Sequence, residues 1–338
     1  MIQERLKALR AEMEKRGITV YVVPTADFHE SEYVGDHFKA RKFITGFTGS
    51  AGTAVITLDE AGLWTDGRYF VQAENQLKDS TVTLYRMGEE GVPTVDEFVK
   101  DRLKEGGCLG FDGRVVNGTW GGKLEKIAAE KNVSMHVTED LIDLIWEDRP
   151  ALSKQPLFIL EEKYSGKSTA DKIADLRKAM KENGADVHIL TSLYDIAWLL
   201  NIRGNDIDYV PVVLSYLVLN ETECIWFLQE EVVDDKIRAY LEEKHITTKP
   251  YDAIYDYVPE IPADAVVLMN RGTVNYRIVN SLDKAIKVVD KPNPTELMKA
   301  VKNKTEVDNT RTAHVKDGVA FTKFMYWLKT NIGKIPMT

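Results

Sequence analysis

The 338-residue sequence has only two cysteines, Cys108 and Cys224, one in each half of the chain. So few thiols exclude a disulfide scaffold and cysteine-built metal sites, and they fit a reduced, cytoplasmic setting. No apolar run approaches the roughly 18 residues that a membrane-spanning helix needs, so no membrane partner is expected. Positive charge is in deficit: 44 Lys and Arg face 53 Asp and Glu, a formal net charge of −9. Without a concentrated basic face there is nothing to neutralise phosphates, which excludes nucleic acid as a partner. HExxH is absent. The opening stretch MIQERLKALRAEMEKRG lacks the apolar core and small-residue cleavage site of a secretion signal. Instead, Ile2, Leu6, Leu9 and Met13 line one face of an amphipathic helix. The Asn-x-Ser/Thr triplets at Asn117, Asn132 and Asn220 then carry no weight as glycosylation sites.

What is present is an ordinary globular composition, 44% hydrophobic and 29% charged, in a length that suggests two domains at about 150 residues each. A short phrase occurs twice about one domain length apart, LRAEMEKRG from Leu9 to Gly17 and LRKAMKENG from Leu176 to Gly184. Leu and Met four apart share a buried helix face, and the Gly beyond the last turn supplies a left-handed cap. In the first half the helix is followed by a buried strand ITVYVVPT, a polar loop, strands GTAVITL and AGLWT, and a helix GRYFVQAENQL. In the second half, helix 168–183 leads to DVHILTS, a helix YDIAWLLN, and strands near VVLSYLVL and ECIWFLQ. The like order predicts two α/β domains of common topology, each a mixed sheet flanked by helices.

Proline marks the boundaries. The segment Glu147 to Pro156 separates the halves and Asp290 to Glu296 closes the second. The expected domains are 1–156 and 157–303, followed by 304–338. Thr305 and Asp308 predict a capping box that opens a long helix, with Val307, Val315, Val319, Phe324 and Leu328 as its apolar contacts.

Several motifs invite chemistry and decline it. SGKST (Ser165 to Thr169) lacks the earlier glycine of a phosphate loop and has Glu161 in that place, where it would repel phosphate; Ser168 with Asp171 reads as a capping box. GFTGSAG (Gly46 to Gly52) runs into a strand, so a dinucleotide site lacks its helix N-terminus. Asp206 and Asp208 are spaced as a metal pair, but without His or Glu partners they read as a solvated loop. His29 and His37 flank acids in HESEYVGDH, which reads as a polar loop near a cleft rather than a metal cluster. WTDGRYF (Trp64 to Phe70) is more informative. Here a strand ends in Thr and Asp before a helix, and Arg68 is expected in the first turn. The helix dipole disfavours a cation there, so Arg68 either reaches for a carboxylate or pairs with a surface acid.

The segments PTADFHESEY, RKFITGFTGSAGTAVIT, LWTDGRYFVQA, DLIWEDRP, IAWLLNIRGNDIDYVPVVLSY and KAVKNKTEVDNTRTAHVKDGVA together resemble the N-terminal part of the three-domain Xaa-Pro aminopeptidases, members of the creatinase and prolidase superfamily. The resemblance implies two creatinase/prolidase N-terminal-type domains ahead of a "pita-bread" catalytic domain. That domain carries two metal ions, usually manganese, held by two Asp, one His and two Glu. None of those ligands can be assigned in this sequence, and residues 304–338 resemble the first helix of the catalytic domain, so the chain is expected to be a non-catalytic fragment. The parent enzyme is implied to remove the residue that precedes a proline in second position, to act on peptides, and to form a homo-oligomer, a dimer. By position in the matching motifs, the substrate-binding candidates are Asp27, His29, Arg68 and Tyr69. The alternatives are a stand-alone two-domain binding or scaffold protein, whose last helix would pack on the second domain, and a prolidase-like dipeptidase.

Overall fold

The strand β1 (Val20–Pro24) is buried at all five positions, as a central strand covered on both faces must be. It belongs to a computed structural model that describes residues 2–337. The first half runs α1 (Ile2–Lys15), β1, α2 (Ala40–Thr45), β2 (Thr53–Thr57), β3 (Ala61–Thr65), α3 (Phe70–Leu77), β4 (Thr83–Arg86), α4 (Val95–Arg102), β5 (Cys108–Phe111), α5 (Gly118–Glu130) and β6 (Ser134–His136). A short strand β7 (Phe158–Ile159) and the turn of helix α6 (Glu162–Ser165) lead into the second half. There follow α7 (Thr169–Glu182), β8 (Val187–Leu190), α8 (Leu193–Leu200), β9 (Ile202–Arg203), β10 (Ser215–Leu219), β11 (Cys224–Leu228), α9 (Asp235–Glu243) and β12 (Thr247–Pro250). The chain continues through α10 (Ile254–Tyr257), β13 (Val266–Met269), α11 (Tyr276–Ser281), β14 (Lys287–Asp290), α12 (Pro294–Ala300) and α13 (Lys304–Asn331).

The two six-stranded sheets have one topology. The first reads β4-β3-β2-β1-β5-β6 and the second β12-β11-β10-β8-β13-β14. In both, the two central pairings on one side are antiparallel and the remaining three are parallel. The repeated helical phrase stands at the same place in each. Leu9 and Met13 are buried in α1, and Leu176 and Met180 in α7. Gly17 and Gly184 both take left-handed φ, +68° and +62°, and in each case the next residue's N–H returns to the buried methionine carbonyl. Ser168 caps α7 by accepting from the Asp171 N–H at 3.1 Å, but the expected box is not reciprocal, because Asp171 accepts the Ser168 hydroxyl and not its backbone N–H.

One expectation about α13 fails in detail. Its cap is Asn303, whose side chain accepts from the Glu306 N–H at 3.0 Å while Glu306 accepts from the Asn303 N–H. The helix thus starts before Thr305, because an Asn and a Glu three apart satisfy two free N–H groups at once. No residue of α13 is buried, including the five expected to supply apolar contacts.

The halves exchange side chains across a junction with internal pseudo-twofold symmetry. Asn117 and Asn275, each capping the helix that follows it, form an isolated antiparallel bridge. Gly118 N–H donates to Val274 O at 2.8 Å and Tyr276 N–H to Val116 O at 2.7 Å. Thr119 donates to Arg271 O and Arg277 to Gly113 O, at 3.0 and 2.9 Å. Phe28 and Phe38 enter the core of the second half, and Tyr276 enters that of the first. Tyr276 fits because Gly121 has no side chain: a Cβ there would lie 2.1 Å from the tyrosine ring.

Gly121→Ala should therefore force α5 off α11 and lower stability by about 1–3 kcal/mol, read as a fall in melting temperature. Gly122→Ala on the same helix meets nothing within 4 Å. It should leave stability unchanged or raise it by up to about 1 kcal/mol through helix propensity. Equal effects of the two substitutions would show that the close approach is not what sets the glycine.

Candidate functional site

The polar stretch after β1 is pinned to the second half. Asp27 Oδ1 accepts from the N–H groups of His29 and Ser31, both at 2.9 Å, and so turns the chain inward. His29 Nδ1 lies 3.1 Å from Thr191 O and Nε2 lies 2.6 Å from Tyr251 Oη. A carbonyl can only accept, so Nδ1 carries the proton and Nε2 accepts from the tyrosine hydroxyl. Tyr216 stacks on Tyr251 and meets Tyr255 Oη at 2.9 Å, and Asn275 Nδ2 returns to Phe28 O at 3.1 Å. Arg114, paired with Asp112 at 3.0 Å, covers the Phe28 ring.

The sequence-derived candidates thus separate into two places. Asp27 and His29 are 1% and 2% exposed and bracket the two halves; no solvent-facing polar loop is formed by them. Arg68 and Tyr69 lie on the first half near the surface. Arg68 is not in the first turn of α3, which begins at Phe70 with Tyr69 as its cap. Asp66 instead accepts both the Arg68 N–H and its guanidinium, the latter in two bonds of 2.8 Å, and folds the arginine back before the helix starts. The bonds from Arg68 pull the Asp66 carboxyl down to about 2. Tyr69 Oη meets Ser50 Oγ at 2.6 Å.

Ser50 opens onto a cavity of about 690 Å³, formed between the loops 32–50 of the first half, the linker around Pro150, and the turn 205–209 of the second. Asp206 does not lie in the solvated loop expected for it: it is buried and accepts from the N–H groups of Gln155 and Leu214, at 3.1 and 2.8 Å. His37 donates from Nδ1 to Pro150 O at 2.8 Å. Arg41 forms part of the wall and was not singled out by sequence, because nothing in RKFIT distinguishes a buried arginine from the exposed Lys42 beside it. Its guanidinium donates to Thr25 Oγ1 at 2.9 Å, to Phe47 O at 2.6 Å and to Gly49 O, which ties down the glycine-rich loop. Among the described residues no group of three or more His, Cys, Asp or Glu is placed to hold a metal ion, and no helix is long and apolar enough to cross a membrane.

With this geometry the class of protein can be stated. The chain belongs to the Creatinase/Prolidase N-terminal domain family, whose domain it contains twice, matched over residues 5–145 and 148–306. It is 38% identical to the probable Xaa-Pro aminopeptidase P of Neurospora crassa over 97% of this chain and 50% of that protein. Xaa-Pro aminopeptidase 1 of Dictyostelium discoideum is 33% identical over 98% and 54%. Among solved structures, the X-prolyl aminopeptidase of Caenorhabditis elegans, a cytosolic enzyme with a di-nuclear active site, superposes with a TM-score of 0.92 at 31% identity. It is covered over 98% of this chain and 56% of its own. The chain therefore spans about half the length of the relatives it matches.

Burial sets the pH response of the junction. Loss of hydration draws His29 from the ordinary 6.5 to about 4. The unfolded chain then takes up the proton first, so the contribution of neutral His29 is complete above about pH 6.5, is lost as pH falls toward 4, and changes no further below. Between pH 7 and 5 this residue should remove on the order of 2 kcal/mol of unfolding free energy, measured in urea. His37 and His188, also lowered by burial, act in the same direction. His29→Gln should flatten the profile, and an unaltered slope in that variant would refute the assignment.

Proposed function

We propose that this chain is the N-terminal, non-catalytic half of a metal-dependent Xaa-Pro aminopeptidase that releases the residue preceding a proline in second position. The observation that carries this reading is the superposition on the C. elegans enzyme, near complete for this chain yet covering 56% of that one. In this reading the two domains shape the cleft over a third domain and help form a dimer, while α13 is the first helix of that third domain. Its uncovered apolar side chains, Val315, Val319, Phe324 and Trp327 among them, support this. A stand-alone binding protein would have its last helix packed on the second half. Among the described residues the hydrogen bonds from α13 and its cap to other elements lie at its root, where Asn303 Nδ2 meets Ser165 O at 2.8 Å and Asn309 Nδ2 meets Tyr164 O at 3.2 Å.

The two metal ions implied for the parent, manganese by resemblance, find no fitting set of donors among the described residues, so no catalytic step is derived for this chain. The purified chain should release no first residue from an Xaa-Pro peptide, with or without manganese. Metal-dependent release above a mock preparation would overturn the proposal.

Of the four candidates, Asp27 and His29 would act indirectly, by holding the walls of the cleft, and Arg68 and Tyr69 would face substrate. Arg68 is exposed and its partner Asp66 belongs to the same loop, so little of the fold depends on it. In the full-length enzyme, Arg68→Ala is expected to lower kcat/KM for Xaa-Pro substrates about tenfold or more with melting unchanged within about 1 °C. Unchanged kinetics would remove Arg68 from the site.

A further inference from the structure

Arg41 presents an unusual electrostatic problem. It is 4% exposed, yet all three of its side-chain bonds go to neutral oxygens, those of Thr25, Phe47 and Gly49. Two less buried arginines of the first half do have carboxylates: Arg114 has Asp112, and Arg149 has Asp140 at 2.6 Å. Among the described residues no carboxylate lies within ion-pair distance of Arg41. Uncompensated burial draws its pKa down to about 10. A buried cation in this state is stabilised by any anion that can reach it, and three bonds leave two of its five N–H donors unused.

The surroundings say which anion. Arg41 lines the 690 Å³ cleft, within the range of small-ligand pockets, roughly 300–1,000 Å³. Lys42 lines the same cavity and among the described residues has no ion pair, although its charge helps to lower the Asp36 carboxyl; Thr48 and Ser50 also line it, their hydroxyls engaged by Gln72, Gln76 and Tyr69. Lys39 is neutralised by Asp36. Glu32, Asp206 and Asp208 line the cavity as well, Asp206 being already engaged by the Gln155 and Leu214 N–H groups. A cavity lined by Arg41 and Lys42 together with several carboxylates is poorly suited to a multiply charged phosphate. It suits a zwitterion whose carboxylate meets the guanidinium fork while its amine or amide end lies toward the acids.

We propose that the cleft between the two halves binds the carboxylate of a short peptide, with Arg41 and Lys42 as the groups that recognise it. That the carboxylate is a peptide's C terminus rests on the peptidase reading above, whereas the anion site rests on the cavity alone.

The test uses the 338-residue chain and three probes: the tripeptide Ala-Pro-Ala, its C-terminal amide, and acetate, titrated while the amide resonances of Gly49 and Ser50 are followed by NMR. The acid should bind at least about tenfold more tightly than the amide, and its affinity should fall with added salt. Lys42→Glu should weaken the acid about fivefold or more at unchanged melting temperature, whereas Arg41→Lys, which also loses the bonds to the glycine loop, is read only where its melting temperature is preserved. Equal binding of acid and amide, unaltered binding to the Lys42→Glu variant, or no response up to about 10 mM of any probe would overturn the site. Acetate binding as tightly as the tripeptide would overturn the peptide and leave a small organic acid as ligand. Because binding is read on this chain and hydrolysis on the full-length enzyme, failure of one does not entail failure of the other.

Discussion

The relation between the two halves depends on the antiparallel bridge between Asn117 and Asn275. Each asparagine caps its own helix, and each neighbouring backbone N–H donates to a carbonyl on the opposite half, so the four cross-bonds fall into two symmetric pairs. Backbone groups at helix starts otherwise remain unsatisfied, and here the duplicated segment supplies its copy with what it lacks. This is the geometry of an isologous dimer contained within one chain.

The side chains break that symmetry in a complementary way. Gly118 and Gly121 of α5 face Val279 and Tyr276 of α11, at hypothetical Cβ separations of 2.7 and 2.1 Å. Small residues on one copy receive large ones from the other. Either helix against its own duplicate would leave a void or a collision, so the contact favours the pairing of unlike halves. Phe28 in one core and Tyr276 in the other then make separation expensive, since each half would expose an aromatic ring and leave a hole. The 690 Å³ cleft inherits its shape from this junction, because His29, the linker at Pro150 and the Asp206 turn are all held relative to it.

The sequence shows most of what is local and little of what is distant. The duplicated LRxxM phrases, the Ser168 cap and three strands of each sheet, β1 to β3 and β8, β10 and β11, were legible because their causes lie within a few residues, whereas the outer strands were not read. His29 was not: its partners Thr191 and Tyr251 are 162 and 222 residues away, and a polar run reads as exposed until such partners are known. Asp206 misleads for the same reason, since backbone N–H groups leave no mark in sequence. Arg68 shows a different shortfall. Of its two readings the structure shows the pairing with a surface acid, Asp66 two residues earlier, and the placing of Arg68 in the first turn fails because the chain turns at Asp66 before the helix starts. The junction had a visible signal, the parallel between GRVVNG and RGTVNY, although only the fold reveals that the two copies meet.

The last helices show how a chain can orient an element without covering it. Lys299 of α12 reaches the fully buried Asp195 of α8 at 2.6 Å, a pair whose loss would strand a carboxylate in the interior. Just beyond it, Asn303 and Asn309 of α13 bond to backbone carbonyls at 163–165. Buried Lys172, bonded to Trp198 O and Asn201 Oδ1, lies near enough to feel the Glu306 carboxylate in the first turn. Two side-chain hydrogen bonds, from Asn303 and Asn309, together with the attraction between Lys172 and Glu306, therefore hold the root of a 28-residue helix none of whose residues is buried. Apolar burial would hold the helix along its length and hide the face it offers, whereas directional bonds at one end set its angle and leave that face free. Whatever packs on α13 thus meets a surface aimed from the second half, and the energy that positions it is spent at the root, away from the contact itself.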